Sequence, residues 1–394
     1  MQKPFDGRRI WFVGIGGAGL SGYALLAHAW GAEVAGWDRI DTPYLANVRA
    51  AEIDVELSDA PVVREGWETV VSSAFLGVEG RSRAELLAEL VSLERSIVVA
   101  GAHGKTTTTG MIAFALDRLG DDPSFLIGAE VPQLGGNARA GSGWLVVEGD
   151  ESDRTIAALR PEIGVVTNVD LDHHTTFASR AEVEALFDEW LAHVPKVVRG
   201  EELEPADIEL ALPGEHNRRN AAAALAALEL AGYDRAAASG PLAEFRGAGR
   251  RFELRASNGV RVVDDYAHNP AKVAATLAAA RELAPRRVLV LFQPHLYSRT
   301  RHLARELAAA LAAADVACVT EIYPAREQPV EGVTGKLVVD ALSEVRPGMA
   351  VGWAPELEDG VRFLLERVRP GDLVLTLGAG DVDRAAALLA ERLA

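Results

Sequence analysis

One stretch, Ile97 to Gly110, constrains the fold more than any other: Ile-Val-Val-Ala-Gly-Ala-His-Gly-Lys-Thr-Thr-Thr-Thr-Gly. Its first four residues are apolar and predict a buried parallel strand, and the residues after the second glycine predict a helix. This is the layout of a phosphate-binding loop, because glycine lets the backbone approach an anion and the helix start offers unpaired N–H groups. The stretch therefore predicts an α/β domain with a phosphate site.

The polar residues of this loop predict a site for a nucleoside triphosphate. Lys105 is placed to reach terminal phosphates, and Thr106 or Thr107 can offer a hydroxyl to Mg²⁺. The match to the usual loop is incomplete, because that loop begins with a glycine where this chain has Val99. A strand-to-helix turn with a surface lysine is the simpler alternative, but Gly-Lys-Thr-Thr directly after a buried strand favours a nucleotide site.

Length and composition exclude several classes of protein. At 394 residues the chain is too long for one ordinary core, so two or three domains are expected. The net charge of −17 opposes binding of nucleic acid, whose phosphates would be repelled. No apolar run could cross a bilayer, the first residues lack a signal-peptide core, and the single cysteine excludes an internal disulfide. We expect a cytoplasmic protein without membrane insertion.

A second glycine pattern, near the N-terminus, predicts another nucleotide-type domain. A predicted strand over 9–14 leads into Gly14-Ile-Gly-Gly-Ala-Gly19, followed by an apolar helix and a strand that ends at Asp38. This order is typical of a Rossmann-like fold that binds a dinucleotide or a sugar nucleotide. The pattern alone is weak evidence, because the same glycines could serve only to let a helix pack closely.

Acidic and imidazole side chains follow two more predicted strands. Glu148-Gly-Asp-Glu-Ser-Asp153 comes directly after the apolar run 144–147, and Asp170-Leu-Asp-His-His174 lies at the end of the run 161–170. The carboxyl ends of parallel strands are where such folds place their sites. Carboxylate and imidazole beside a triphosphate loop suit Mg²⁺. The acidic run could instead be a solvated loop.

The last third of the chain predicts a small open α/β sheet. A hairpin is expected where residues 249–253 open one strand and residues 259–265 form its partner. Four more strands then alternate with helices, over 287–292, 316–320, 350–353 and 373–377. Polar residues again follow the strand ends.

Taken together, these motifs resemble the Mur ligase family. The general resemblance rests on the phosphate loop from Gly101, on Asp150-Glu-Ser-Asp153 and on Gly214-Glu-His-Asn217. Further motifs resemble the members that act on UDP-N-acetylmuramate: Gly14-Ile-Gly-Gly-Ala-Gly19, Arg250-Arg-Phe-Glu253, Asp264-Asp-Tyr-Ala-His268, Phe292-Gln-Pro-His295, Ser298-Arg-Thr300 and Tyr323-Pro-Ala325. They span nearly the whole chain in order.

The resemblance implies an α/β chain of three domains. These are a Rossmann-like UDP-sugar-binding domain over 1–95, an abbreviated P-loop ATPase domain over 96–236 and a Rossmann-like amino-acid-binding domain over 237–394. ATP and Mg²⁺ are the implied cofactors, and UDP-N-acetylmuramate and L-alanine the implied substrates. ATP would convert the muramoyl carboxylate to an acyl phosphate, which the alanine amine attacks to give an amide, ADP and phosphate. The chain would be a monomer or a homodimer.

Carried over by position, the resemblance also assigns individual residues. The UDP-sugar would be bound by Gly14, Gly16, Gly17, Gly19, Asp38, Ser72 and Ser73. ATP would be bound by Gly101, His103, Gly104, Lys105, Thr106, Thr107, Asn217, Arg251 and Asp264. The metal ligands would be Thr107, Glu151 and His173. The amino acid would be bound by Tyr266, His268, Arg299 and Arg301. The implied catalytic groups are Lys105, Glu151, His173, His268 and Arg299.

Departures from the family pattern leave alternatives open. Ala102 and Asn269 stand where the family usually has Thr and His, and the short stretch from His174 to Pro213 lacks strands that the family normally has. One alternative is the related ligase that adds a whole peptide to the same UDP-sugar, in murein-peptide recycling. Another is a non-catalytic paralogue that binds UDP-sugar or nucleotide. A nicotinamide dehydrogenase would leave the Lys105 loop unexplained.

Overall fold

The structure is a computed structural model that describes residues 3–17, 19–72, 74–75, 77–171, 176–325 and 327–393. Two predicted site residues, Ser73 and His173, lie outside these ranges. The chain divides into two compact units, the first made of Met1–Ala211 and Arg218–Ala248 and the second of Leu212–Asn217 and Gly249–Ala394. None of the helices in the described ranges combines the length and apolar character needed to cross a membrane.

The first sheet contains five parallel strands, and it is the Rossmann-like sheet predicted from the N-terminal glycine pattern. Its strands and helices are β1 (Arg9–Val13), α1 (Ser21–Ala29), β2 (Glu33–Asp38), α2 (Leu45–Ala50), β3 (Asp54–Leu57), β4 (Glu68–Val71), β5 (Arg81–Ser82) and α3 (Arg83–Leu93). The strand order is β3-β2-β1-β4-β5. The glycine loop follows the central strand β1, so it lies where the strand order reverses, which is the usual ligand position in such sheets.

The second sheet has six strands and contains the phosphate loop. Its elements are β6 (Ser96–Ala100), α4 (Lys105–Arg118), β7 (Ser124–Val131), β8 (Gly136–Arg139), β9 (Leu145–Glu148), β10 (Ile163–Val166), α5 (Arg180–Leu191), β11 (Lys196–Arg199), α6 (Glu215–Leu230) and α7 (Arg235–Glu244). The order is β11-β10-β6-β9-β7-β8, and only β8 is antiparallel to its neighbour. Every residue of β6 is buried, as its apolar sequence predicts.

These two sheets share one hydrophobic core within the first unit. Phe12 from β1, Leu126 from β7 and Trp190 from α5 belong to the same cluster of buried side chains. Helix α1 packs on β8 so closely that a Cβ at Gly22 would lie 2.9 Å from the Cβ of Ala138. The two predicted nucleotide loops are therefore held on one packed body.

Strand β10 ends at Val166, whereas the sequence pattern predicts a strand up to Asp170. The Thr167 hydroxyl and the Asn168 amide both donate to the carbonyl oxygen of His103, at 2.6 and 2.9 Å. Asn168 Oδ1 also accepts from the His103 N–H at 2.9 Å. The residues after Val166 leave the sheet because their polar groups bond the phosphate loop instead.

Helix α7 packs with the first unit. The ring of Phe245, just after the helix, lies 5.8 Å from that of Phe114 in α4. The Gln133 amide donates to the carbonyl oxygen of Glu244 at 3.0 Å. A domain boundary between residues 236 and 237 would cut this helix, and the two domain boundaries, after residues 95 and 236, remain a proposal.

The second unit contains the third sheet, also of six strands. Its elements are β12 (Glu253–Ser257), β13 (Arg261–Asp265), α8 (Pro270–Glu282), β14 (Val288–Phe292), α9 (Tyr297–Leu311), β15 (Val316–Val319), α10 (Lys336–Val345), β16 (Ala350–Trp353), α11 (Leu357–Leu365), β17 (Leu373–Leu377) and α12 (Asp383–Arg392). The order is β12-β13-β17-β14-β15-β16, with the predicted β12–β13 hairpin as the antiparallel pair. The polar segments after β13, β14 and β17 therefore meet at one sheet edge.

Candidate active site

The two glycines of the phosphate loop occupy positions that no other residue would fit. Gly101 and Gly104 have φ angles of 127° and 82°, in the left-handed region. A Cβ at Gly101 would lie 2.2 Å from the Thr167 hydroxyl oxygen, and one at Gly104 would lie 2.2 Å from Asn220 Oδ1. The loop is thus enclosed by polar side chains from α6 and from Thr167, just after β10, and a side chain at either glycine would not fit.

Lys105 and Glu151, both predicted catalytic residues, form an ion pair beside this loop. The Lys105 ammonium lies 2.9 Å from each carboxylate oxygen of Glu151 and donates to the Gly101 carbonyl oxygen at 2.6 Å. Glu151 is only 1% exposed. A buried carboxylate needs a partner, because an uncompensated charge there is strongly destabilising. The structure therefore brings together the cation expected to bind phosphate and the acid expected to bind metal.

The loop threonines lie on the first turn of α4. The Thr106 hydroxyl donates to Glu148 Oε2 at 3.2 Å, and Glu148 Oε1 accepts from the Gly128 N–H at 2.6 Å. Thr107 is buried. Glu148 is absent from the predicted site residues, although the acidic run that predicts this site begins with it.

The donor set near the loop fits Mg²⁺ in its chemistry. Thr107 supplies a hydroxyl and Glu151 a carboxylate, and oxygen ligands of this kind are what Mg²⁺ prefers. The third predicted ligand, His173, is outside the described residues. Within those residues no group of three or more His, Cys, Asp or Glu side chains forms a metal site by protein ligands alone.

Asp150, next to Glu151, remains charged although it is partly buried. Burial opposes ionisation, but hydrogen bonds from Ser152 and the charges of Lys105 and Arg83 outweigh it and lower the Asp150 pKa. Asp150 Oδ1 accepts from the Ser152 N–H at 2.9 Å, and Oδ2 pairs with Arg83 at 3.4 Å. The acidic run is thus a charged turn beside the phosphate loop.

His103 links the loop to a second acidic segment. Its Nε2 lies 3.2 Å from Asp170 Oδ2, and its backbone is bonded to Asn168. The ion pair needs a protonated ring, since neutral imidazole carries no charge. Asp170 and Asn168, which follow β10, therefore help to fix the loop.

In the N-terminal glycine loop, the Asp38 carboxylate accepts hydrogen bonds from two backbone N–H groups. Its Oδ2 accepts from the Gly16 N–H and its Oδ1 from the Arg39 N–H, both at 2.7 Å. Gly14, at φ 90°, would place a Cβ 2.9 Å from the Cβ of Ser72. The end of β1 is thus surrounded by predicted UDP-sugar residues, namely Gly16, Gly17, Gly19 and Ser72. Their contact with a UDP-sugar remains a prediction.

Asp264, in the second unit, is completely buried, and burial raises its pKa. Its carboxylate accepts from the Thr376 hydroxyl at 2.6 Å and from Arg250 Nε at 3.0 Å. Arg250 also donates to the carbonyl oxygens of Gly378 and Gly380. In this arrangement Asp264 orients Arg250, a residue absent from the predicted site, and its predicted contact with nucleotide remains a prediction.

Four rings form a continuous row at the carboxyl edge of the third sheet. Centroid distances are 5.2 Å from Tyr266 to His268, 5.6 Å from His268 to His295 and 5.9 Å from His295 to Tyr323. Arg299 Nη1 lies 3.4 Å from His295 Nδ1. This edge thus brings together three of the residues predicted to bind the amino acid, Tyr266, His268 and Arg299. His295 and Tyr323, which are not among the predicted residues, lie beside them.

The remaining predicted residues lie in the second unit as well. The Arg251 guanidinium stacks 4.6 Å from the Tyr266 ring, Arg301 is exposed on α9, and the buried Asn217 donates to the Pro213 carbonyl oxygen at 2.7 Å. Asn269, one of the departures from the family pattern, caps α8 by accepting from the Lys272 N–H at 2.9 Å. The cap on α8 therefore gives a structural reason for an asparagine at this position.

Replacing Gly104 by alanine should weaken nucleotide binding and leave the fold intact. The added methyl would collide with Asn220 and would force alanine into the left-handed region, which costs about 1 kcal/mol. We expect at least a roughly tenfold loss of ATP affinity by calorimetry.

Gly120→Ala is the matched control for that substitution. Gly120 follows the other end of α4 with a φ of 85°, but a Cβ there would meet nothing within 4 Å. This variant should lose a little stability and keep its ATP affinity. Equal affinities in the two variants would show that the loop does not contact the nucleotide.

Comparison with known proteins matches most of the chain to one family. The Mur ligase family catalytic domain matches residues 9–95, the Mur ligase middle domain residues 99–198, and the Mur ligase glutamate ligase domain residues 250–380. The three matches follow the order of the three sheets.

Individual relatives agree with this match. The UDP-N-acetylmuramate–L-alanine ligase of Renibacterium salmoninarum is 38% identical over 453 aligned positions, covering 98% of this chain and 96% of the relative. Because the alignment is longer than the 394 residues, the relative contains segments that have no counterpart here.

Solved structures have the same fold. The UDP-N-acetylmuramate–alanine ligase of Thermotoga maritima superposes with a TM-score of 0.82 at 26% identity, covering 98% of both chains. A murein peptide ligase of Psychrobacter arcticus, with a TM-score of 0.64 at 23% identity over 98% of this chain and 99% of its own, shows the fold alone. The chain belongs to the Mur ligase family.

Proposed function

We propose that the chain is an ATP-dependent ligase that joins L-alanine to the carboxylate of UDP-N-acetylmuramate in the synthesis of peptidoglycan precursors. The observation that supports this most is the Lys105–Glu151 pair at the glycine-lined phosphate loop. A full-length relative at 38% identity has this activity in its name. ATP, a UDP-sugar and an amino acid are cytoplasmic compounds, so we place the enzyme in the cytoplasm.

The first step is phosphoryl transfer to the muramoyl carboxylate. The loop N–H groups and Lys105 would bind the terminal phosphates, and Lys105 would exchange Glu151 for phosphate oxygens. A carboxylate oxygen attacks the γ-phosphorus, the bond to the ADP oxygen breaks, and an acyl phosphate forms. No side chain needs to act as a covalent nucleophile, because ATP supplies the activation.

Thr107, Glu151 and the predicted ligand His173 would bind Mg²⁺. When bound, the ion neutralises charge on the phosphoryl group in transfer. Removing Lys105 from Glu151 leaves a buried carboxylate without its cation, so the same movement prepares Glu151 for a metal. Lys105 and Glu151 therefore act as a pair rather than separately.

The second step is attack by the amine of L-alanine. A C–N bond forms to the acyl carbon, the C–O bond to phosphate breaks, and the amine gives up a proton. His268 Nδ1 lies 2.8 Å from the Tyr266 carbonyl oxygen, an acceptor, so Nδ1 holds the proton of the neutral ring and Nε2 is basic. We assign proton acceptance to His268 and charge neutralisation to Arg299.

The peptide-adding ligase is the second candidate. It shares the fold, and Asn269 replaces the usual histidine on the amino-acid side. Asn269 caps α8, however, so its presence has a structural explanation that does not depend on the acceptor. The short central domain also leaves a non-catalytic binding protein as a candidate, but Lys105 and Glu151 are both present and paired.

Lys105→Ala should eliminate turnover and lower the stability, because the buried Glu151 loses its cation, while the chain still folds. The phosphate loop would lose its cation, and the γ-phosphoryl charge would be uncompensated. ADP release with ATP, Mg²⁺, UDP-N-acetylmuramate and L-alanine measures this, and circular dichroism checks the fold.

Lys196→Ala is the control for Lys105→Ala. Lys196 is also a half-buried lysine paired with a glutamate, Glu162, but it lies at the start of β11. This variant should keep wild-type ADP release. Wild-type activity in Lys105→Ala would mean that the loop has another role.

The acceptor should be the free amino acid rather than a peptide. In the same assay we expect L-alanine to support ADP release, and the muropeptide tripeptide to support little. Preference for the tripeptide would assign the chain to the recycling ligases. No release with either acceptor would favour a protein that only binds.

A further inference from the structure

Arg83 is a cation whose backbone position is tightly fixed. It is the first residue of α3, directly after the N-cap Ser82. The Ser82 hydroxyl accepts from the Glu85 N–H, and the Glu85 carboxylate accepts from the Ser82 N–H at 2.7 Å, so the helix start has a full capping box. The helix is anchored by the buried leucines Leu86 and Leu90. The Arg83 side chain therefore projects from a rigid point.

The guanidinium lies between the predicted UDP-sugar loop and the acidic turn beside the phosphate loop. Its Nη1 is 2.9 Å from the place where a Cβ at Gly19 would be, so the missing side chain of Gly19 makes room for it. Its Nη2 pairs with Asp150 Oδ2 at 3.4 Å, and Asp150 precedes Glu151. Gly19 ends the predicted UDP-sugar loop, whereas Asp150 belongs to the acidic turn at the phosphate loop. All these residues belong to the first unit.

The pair with Asp150 is weak enough to be replaced. Its contact is long for an ion pair, and the side chains of Arg83 and Asp150 are 40% and 38% exposed, so water screens their attraction. A guanidinium has five N–H donors in a planar fork that matches phosphate and carboxylate oxygens. An anionic ligand between the loops would be a better partner than Asp150 at this distance.

The surroundings of Arg83 are otherwise acidic. Burial raises the pKa of nearby Tyr23 to about 12, the charges of Glu148, Asp150 and Asp153 act in the same direction, and Arg83 opposes them. An anion approaching this acidic group would be repelled unless a cation faced it. Arg83 is in the right place to provide that charge.

We propose that Arg83 binds an anionic group of the UDP-sugar, moving from Asp150 to the diphosphate or to the lactyl carboxylate of the substrate. This inference rests on the proposed function. In the substrate the diphosphate links the uridine to the sugar, and the sugar carries the reacting lactyl carboxylate. Arg83 lies between the predicted UDP-sugar loop and the acidic turn beside the phosphate loop, and a guanidinium can bind either anionic group.

The test is calorimetric binding of UDP-N-acetylmuramate to Arg83→Gln. We expect affinity to fall at least about tenfold, with the KM for ATP unchanged. Arg180→Gln is the matched control, because Arg180 is the first residue of α5, follows the N-cap Ser179 and pairs with glutamates. The control should bind like the wild type.

Asp150→Asn separates a binding role from a structural link between loops. If Arg83 binds substrate, this variant should bind UDP-N-acetylmuramate as tightly as the wild type or more tightly. If Arg83 only holds Asp150 in place, both variants should weaken binding equally and the double variant no further, which would overturn the proposal. UDP-N-acetylglucosamine, which lacks the lactyl carboxylate, identifies the group: a similar loss indicates the diphosphate, and no loss indicates the carboxylate.

The two proposals fail in different ways. If the wild type binds UDP-N-acetylmuramate and Arg83→Gln binds it equally well, the role of Arg83 is wrong and the proposed function stands. If the wild type binds no UDP-N-acetylmuramate at all, both are wrong. Thermal unfolding of each variant shows whether a loss reflects binding or folding.

Discussion

The ion pair between Lys105 and the buried Glu151 is the interaction on which the rest of the site depends. The lysine is held by Glu151 and by the Gly101 carbonyl oxygen, so the loop has a defined shape before any ligand arrives. If phosphate takes Lys105, as we propose, Glu151 would be left as a buried charge, which costs several kcal/mol unless another cation replaces the lysine. The proposed mechanism therefore couples the binding of nucleotide to the binding of metal through one exchange of partners.

The packing of the first unit supports this exchange. The phosphate loop, the acidic turn and the N-terminal glycine loop all follow strands of two sheets with a common core. Arg83 extends from α3 to Asp150, so the side that would hold a sugar nucleotide touches the side that would hold ATP. The proposed role of Arg83 would therefore link the position of the substrate to the charge beside the phosphate loop.

Local signals in the sequence predict most of this fold, and long-range contacts account for what they miss. The strands β1, β6, β9 and β17 are short apolar runs that end at glycine or an acid, so they are recognisable from the local sequence. Helix α7 contains Pro241, and because proline disfavours helix interiors the sequence does not predict this helix. Several site contacts join segments that are far apart in the sequence, so local patterns cannot predict them. Examples are the hydrogen bonds of Asp264, the stacking of Tyr323 on His295 and the contact of Asn220 with Gly104. His295 and Tyr323 stood in recognised motifs, but only folding places them beside His268.

The most direct test of the central claim follows oxygen atoms. UDP-N-acetylmuramate labelled with ¹⁸O in its lactyl carboxylate is turned over with ATP and L-alanine, and the released phosphate is analysed by mass spectrometry. If the carboxylate takes the γ-phosphoryl group, cleavage of the acyl phosphate leaves one carboxylate oxygen in each phosphate released. The account predicts one ¹⁸O per phosphate. Unlabelled phosphate, with amide formation intact, would contradict it.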